Sequence, residues 1–150
     1  MRKTKRRLSK VLAPTFYPLH RAVKTGEATH FWLPGGRGSG KSSAVSVEIL
    51  LGIMEHPDAN GAVLRKVGKN LKDSVYQQLL WAAGKLGVRE LWEARVSPQP
   101  VMIYKPTGQK ILFRGADKAE MSKGLKAPNG GYFRFLWFEE LTEFDGMEDV

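Results

Sequence analysis

The sequence contains no cysteine, which excludes a disulfide framework and any metal site built on thiolates. It has no long apolar run: the longest stretches are broken by Glu48 or are too short to span a bilayer, so a transmembrane helix is not expected. No apolar segment of signal-peptide type follows the basic N-terminus, and a cytosolic chain is the default expectation. No internal repeat is visible. Acids are few, 15 against 24 lysines and arginines, giving a formal net charge of +9. The charges are also unevenly spread. Arg2, Lys3, Lys5, Arg6, Arg7 and Lys10 crowd the first ten residues, while Glu139, Glu140, Glu143, Asp145, Glu148 and Asp149 fall in the last dozen. A basic tail of this kind suits a polyanion partner such as DNA. It suits a solvated arm that aids solubility equally well.

What is present is enough for one domain: 150 residues, 42% of them hydrophobic, can bury a real core. Residues 1–13 read as a basic mobile arm and 14–150 as the domain. Within it, Gly35-Gly36-Arg37-Gly38-Ser39-Gly40-Lys41-Ser42 fits G-x-x-x-x-G-K-[S/T], the phosphate-binding loop of nucleotide triphosphatases. Glycines let the backbone curl so that successive N–H groups meet phosphate oxygens without a Cβ in the way. Lys41 would bring positive charge to the β- and γ-phosphates, and the Ser42 hydroxyl would ligate Mg²⁺. The context fits too. Thr29–Leu33 is a short β-prone run, and Ser43–Met54 reads as a helix with Val45, Ile49, Leu50 and Ile53 near one face. Strand, glycine loop and helix is the order the mechanism demands. Arg37 inside the loop is either a surface arginine or a residue able to reach the γ-phosphate and stabilise transition-state charge.

Along the rest of the chain, Pro14-Thr15-Phe16-Tyr17-Pro18 fences two aromatics between prolines. Phe16 or Tyr17 would plug the edge of the core or stack on a nucleotide base. His20 and His30 stand without partners at ligand spacing and are assigned no chemistry. A turn cluster at His56–Gly61 precedes a strand at Ala62–Val67, with Arg65 a weak candidate for sensing nucleotide or reaching a neighbouring subunit. Asn70–Leu86 follows as a helix with Leu71, Val75, Leu79 and Ala82 on one face and Gly87 as its stop. Alternating strands and helices argue for parallel strands joined by right-handed crossovers. Val101–Tyr104 and Lys110–Phe113 flank Pro106-Thr107-Gly108-Gln109, a hairpin signal. Asp117–Gly124 is polar, a loop or short helix, and Pro128–Gly131 makes a further turn.

Tyr132–Phe138 is the most apolar strand of the chain and delivers Glu139-Glu140 at its end. Ligands bind at that end of an open α/β sheet. Beside the phosphate loop, Glu139 would hold Mg²⁺, usually through water, and Glu140 would polarise the water that attacks the γ-phosphate. The first acid of such a pair is ordinarily Asp, one methylene shorter. The fold expected is therefore α/β, a P-loop NTPase core: three layers, a mostly parallel central sheet with a β-hairpin insertion, incomplete at the C-terminus.

Five segments in order, Gly35–Ser43, Val63–Gly87, Ile111–Asp117, Met121–Lys126 and Phe135–Phe144, resemble the ATPase half of a tailed-phage terminase large subunit. The likeness runs from Phe16 to Phe144, and it is to the branch that carries Glu-Glu where Asp-Glu is usual. The resemblance implies ATP as the nucleotide, with Mg²⁺, and a motor that pumps double-stranded DNA into a procapsid. It implies Arg37 as the residue that triggers hydrolysis and a ring of subunits docked on a portal. A small subunit that recognises viral DNA and the cytoplasm of the bacterial host also come with it. The chain stops at Val150, so the coupling segment and the nuclease domain of such proteins are expected to be absent. A helicase- or recombinase-type ATPase, or a remnant that binds nucleotide without turnover, are the competing readings.

Overall fold

The computed structural model describes residues 7–34, 40–65, 75–115 and 124–138. Two short 3-10 turns, Leu8–Lys10 and Pro14–Phe16, lead into helix α1 (Tyr17–Thr25). Then come α2 (Lys41–Glu55), β1 (Ala59–Arg65), α3 (Gln77–Lys85), β2 (Trp92–Arg95), β3 (Val101–Tyr104), β4 (Gln109–Gly115) and β5 (Tyr132–Phe138). Leu12 is buried, and Leu8 and Val11 pack against the core, so this part of the basic arm joins the fold; residues 1–6 lie outside the described residues.

The five strands form one sheet in the order β2-β3-β4-β1-β5. β1 lies between β4 and β5 and runs parallel to both, while β2/β3 and β3/β4 are antiparallel. The sheet is thus mixed rather than mostly parallel. The hairpin expected from the Pro-Thr-Gly turn is present, and a further short strand, β2, extends it and adds the second antiparallel pair. Thr29–Leu33 is no strand: those residues are irregular, with Trp32 63% exposed. Among the described residues their β-prone side chains have no strand paired with them, and β propensity without such a neighbour specifies little.

Side chains alternate across each strand, and the register sets two faces. Met102, Ile111, Gly61 and Phe135 align across four strands, and Gly61 faces Ile49 and Ile53 of α2. This is the helix-covered face. α2 is buried along most of its length because it packs on β1 and β5 below and on α3 at its side. Val47, Leu50, Ile53, Leu79, Met102 and Ile111 are wholly buried there, each worth roughly 1.5–3 kcal/mol of transfer free energy for the larger side chains. Gly52 forms a notch for the Phe135 ring; a Cβ at that position would overlap it. α3 ends as its sequence suggests, with Gly87 left-handed (φ 73°) and the Val88 N–H donating to the Ala83 carbonyl. Among the described residues α2 and α3 share one face, and the second helical layer of a three-layer arrangement is not seen. On the opposite face Leu136 is 53% exposed.

Two buried amides tie the amino ends of the parallel strands together. Gln109 Nε2 donates to the carbonyls of Ile53 (2.6 Å), His56 and Ala59 (2.9 Å), and its Oε1 accepts from Thr107 Oγ1. Asn60 Nδ2 donates to Asp58 and Tyr132 (both 3.3 Å) and to Pro128 (3.4 Å), while its Oδ1 accepts the Lys110 N–H at 2.8 Å. One of the last carbonyls of α2, that of Ile53, gains a donor in this way.

Candidate functional site

The end of the sheet opposite those amides is where the described part of the phosphate-loop motif, Gly40 to Ser42, stands. α2 and β1 are joined by a short turn and run in opposite directions. Fifteen helical residues and seven strand residues span nearly the same length, about 22 and 23 Å. The first turn of α2 is therefore level with the carboxyl end of β1. Leu64 pairs with Arg114 on one side and Phe138 on the other, so β1, β4 and β5 end together at this edge.

Gly40 is the N-cap of α2 and is left-handed, φ 82° and ψ 5°, a conformation open to glycine at little cost. Its carbonyl accepts the Ala44 N–H at 3.0 Å. Among the described residues no side chain caps this terminus, and no acid lies in the first turn. Lys41 occupies the first helical position, where a cation opposes the helix dipole unless an anion offsets it. This arrangement suits an anion in front of the helix. Ser43 Oγ accepts from Gln78 Nε2 of α3 at 3.0 Å, and Ser46 Oγ donates to the Ser42 carbonyl at 2.7 Å. These bonds fix the first turn from two sides. Gln78, a helix-surface residue by pattern, carried no sequence signal for this contact.

Of the expected phosphate-loop residues, Gly40, Lys41 and Ser42 stand at this edge. Gly35, Gly36, Arg37, Gly38 and Ser39 lie outside the described residues. Glu139 and Glu140 lie outside them as well; β5 brings the chain to Phe138 at the same edge. Of Arg65 the backbone alone is described, at the end of β1. Phe16 is half-buried, and a Cβ on Gly40 would sit 3.4 Å from its Cε2. Tyr17 is exposed. Among the described residues no group of three or more His, Asp or Glu side chains could hold a metal ion.

His20, without a partner at ligand spacing, has a distant one: its Nδ1 lies 2.7 Å from Glu48 Oε1. Glu48 is 5% exposed. Burial pushes its carboxyl above the ordinary 4.5, the His20 hydrogen bond and charge pull it back, and Glu55 adds to the rise. The two residues are 28 positions apart, and no local spacing pattern reveals such a pair.

Residues 27–149 match the family described as phage terminase large subunit. The chain belongs to that family. It is 38% identical over 147 residues to the terminase large subunit of Bacillus phage SPP1, covering 96% of this chain and 33% of that protein. It is 25% identical over 126 residues to the PBSX phage terminase large subunit of Bacillus subtilis (strain 168), covering 83% of this chain and 27% of the relative. The chain thus spans about a third or less of the length of these curated terminase relatives. No solved structure matches it at a significant level. Among the described residues no helix is long and apolar enough to cross a membrane.

Proposed function

We propose that this terminase chain is the ATP-binding and hydrolysing part of a phage DNA-packaging motor. The observation that carries the reading is the meeting of two elements at one sheet edge. They are the uncapped start of α2, with Gly40 left-handed and Lys41 leading, and the carboxyl end of β5, beyond which Glu139 and Glu140 follow. In this reading the backbone of Gly35 to Gly40 cradles the phosphates and Lys41 neutralises the β- and γ-phosphate oxygens. Ser42 and Glu139 would hold Mg²⁺, which when bound offsets phosphate charge. Glu140 orients and polarises the attacking water, and Arg37 stabilises charge as the γ-phosphoryl group leaves.

Double-stranded DNA is the polymer moved, and the basic N-terminal residues are complementary to it in charge. A procapsid portal, a small terminase subunit and further copies of the chain in a ring are the protein partners. The place of action is the host cytoplasm.

Steady-state ATP hydrolysis by the purified chain tests the reading. Glu140→Gln should abolish turnover while ATP still binds, and Arg37→Ala should lower turnover by about 10³-fold. Turnover equal to wild type in both variants would refute the assignment of this edge as the hydrolytic site.

A further inference from the structure

α1 contributes no fully buried residue to the fold, yet it sets the environment of the loop-to-helix junction. Phe16, the residue that caps its start, rests against Gly40, and one turn later His20 bonds Glu48 on α2. Phe16 and His20 are four residues apart and share a face of the helix; Gly40 and Glu48 lie two turns apart along α2. The two contacts thus dock α1 lengthwise on α2.

A carboxylate as buried as Glu48 needs a hydrogen-bond partner, and His20 supplies it. We propose that the His20–Glu48 hydrogen bond is a positioning contact of the nucleotide site, locking α1 along α2 so that the Phe16 ring stays against Gly40 where the phosphate-loop motif enters the helix. The inference rests on the reading of Gly35–Ser42 as a triphosphate site. The other charged or titratable groups around this pair are Lys24 of α1, Glu55 and His56 at the end of α2, and Arg134 of β5. They line the same small cavity. Among the described residues Arg134 Nε is buried without a hydrogen-bond partner, and the His20 ring is the group that bonds Glu48 to α1. Neither His20 nor Glu48 touches the nucleotide in this account. Both act through Phe16 and Gly40.

The test is MgATP binding to the full 150-residue chain, by calorimetry, for wild type and six variants. His20→Ala and Phe16→Ala should each weaken binding by about five- to tenfold, the loss of one hydrogen bond's worth of positioning. The double variant should be no weaker than Phe16→Ala alone, because both changes remove the same wall. His20→Gln, which restores an N–H donor, should bind within about twofold of wild type. Should His20→Ala fail to fold, His20→Phe keeps the ring bulk without the nitrogen and gives the same readout. Wild-type affinity in folded His20→Ala or His20→Phe, or losses that multiply in the double variant, would overturn the proposal. Lys41→Ala separates the two claims. If it binds ATP as wild type does, the triphosphate reading itself fails; if it loses binding while His20→Ala and His20→Phe do not, the positioning role alone fails.

Discussion

Replacing Gln109 tests how the amino end of the sheet is held. Its amide is 3% exposed and offers two N–H bonds to three carbonyls, those of Ile53, His56 and Ala59. Those groups belong to the end of α2, the turn after it and the start of β1, so one side chain on β4 joins three segments. Gln109→Leu keeps much of the volume and removes both donors. Each buried carbonyl stripped of its donor costs about 1–3 kcal/mol. Two of the three keep a second donor, Ile53 the His56 N–H at 3.4 Å and His56 the Ala59 N–H at 3.0 Å, which limits the total to about 3 kcal/mol, or a fall of roughly 6–12 °C in Tm. Gln109→Glu is nearly isosteric and should cost at least as much, because it presents oxygen to oxygen in a buried site. Thr107→Val, which removes only the hydroxyl that orients the amide, should cost about 1 kcal/mol. Urea unfolding at constant m-value reads all three. A loss below about 1 kcal/mol for Gln109→Leu would show that the Gln109 amide holds little of this end together and would refute the reasoning.

The Glu48 carboxyl, raised by burial, gives a pH prediction. The folded chain holds that proton more tightly than the unfolded one, so this group's contribution to stability falls as pH rises from 4.5 through the raised value. Glu48→Gln should match wild type near pH 4 and equal or exceed it at pH 8 in thermal melts; a wild type that gains on the variant as pH rises would contradict this. Two glycines should respond oppositely. A Cβ at Gly131 would overlap the Asp58 carbonyl oxygen and come within 2.8 Å of Asn60 Nδ2, so Gly131→Ala should cost about 1–3 kcal/mol in urea unfolding. A Cβ at Gly84, within α3, meets nothing within 4 Å, and Gly84→Ala should gain roughly 0.5–1 kcal/mol in the same assay.

Much of this structure was legible from residue pattern because it is local. The bounds of β5 coincide with the apolar run 132–138, and the Pro-Thr-Gly turn placed the β3–β4 hairpin. The helix after the glycine loop was found two residues short of its start, since Lys41 and Ser42 read as loop chemistry. What escaped depends on distant partners. β2 is four residues, with Trp92 buried and Arg95 exposed, too short for an alternating pattern to stand out. Thr29–Leu33 has strand composition and no strand neighbour. Asn60 and Gln109 were read as turn residues and prove to be buried cross-links, a role set by carbonyls as many as 72 positions away. The same holds for His20 and Glu48. At the site itself, the motif gave the identity of Gly40, Lys41 and Ser42, and the fold adds that they share an edge with the end of β5.

That shared edge is the central claim, and hydrogen exchange with and without saturating MgATP tests it most directly. The account predicts slowed exchange confined to two separated stretches, the phosphate loop with the first turn of α2 and the end of β5 with Glu139 and Glu140. Lys41→Ala should abolish the effect at both. Protection at the loop alone, protection spread evenly over the sheet, or an unchanged response in Lys41→Ala would contradict it.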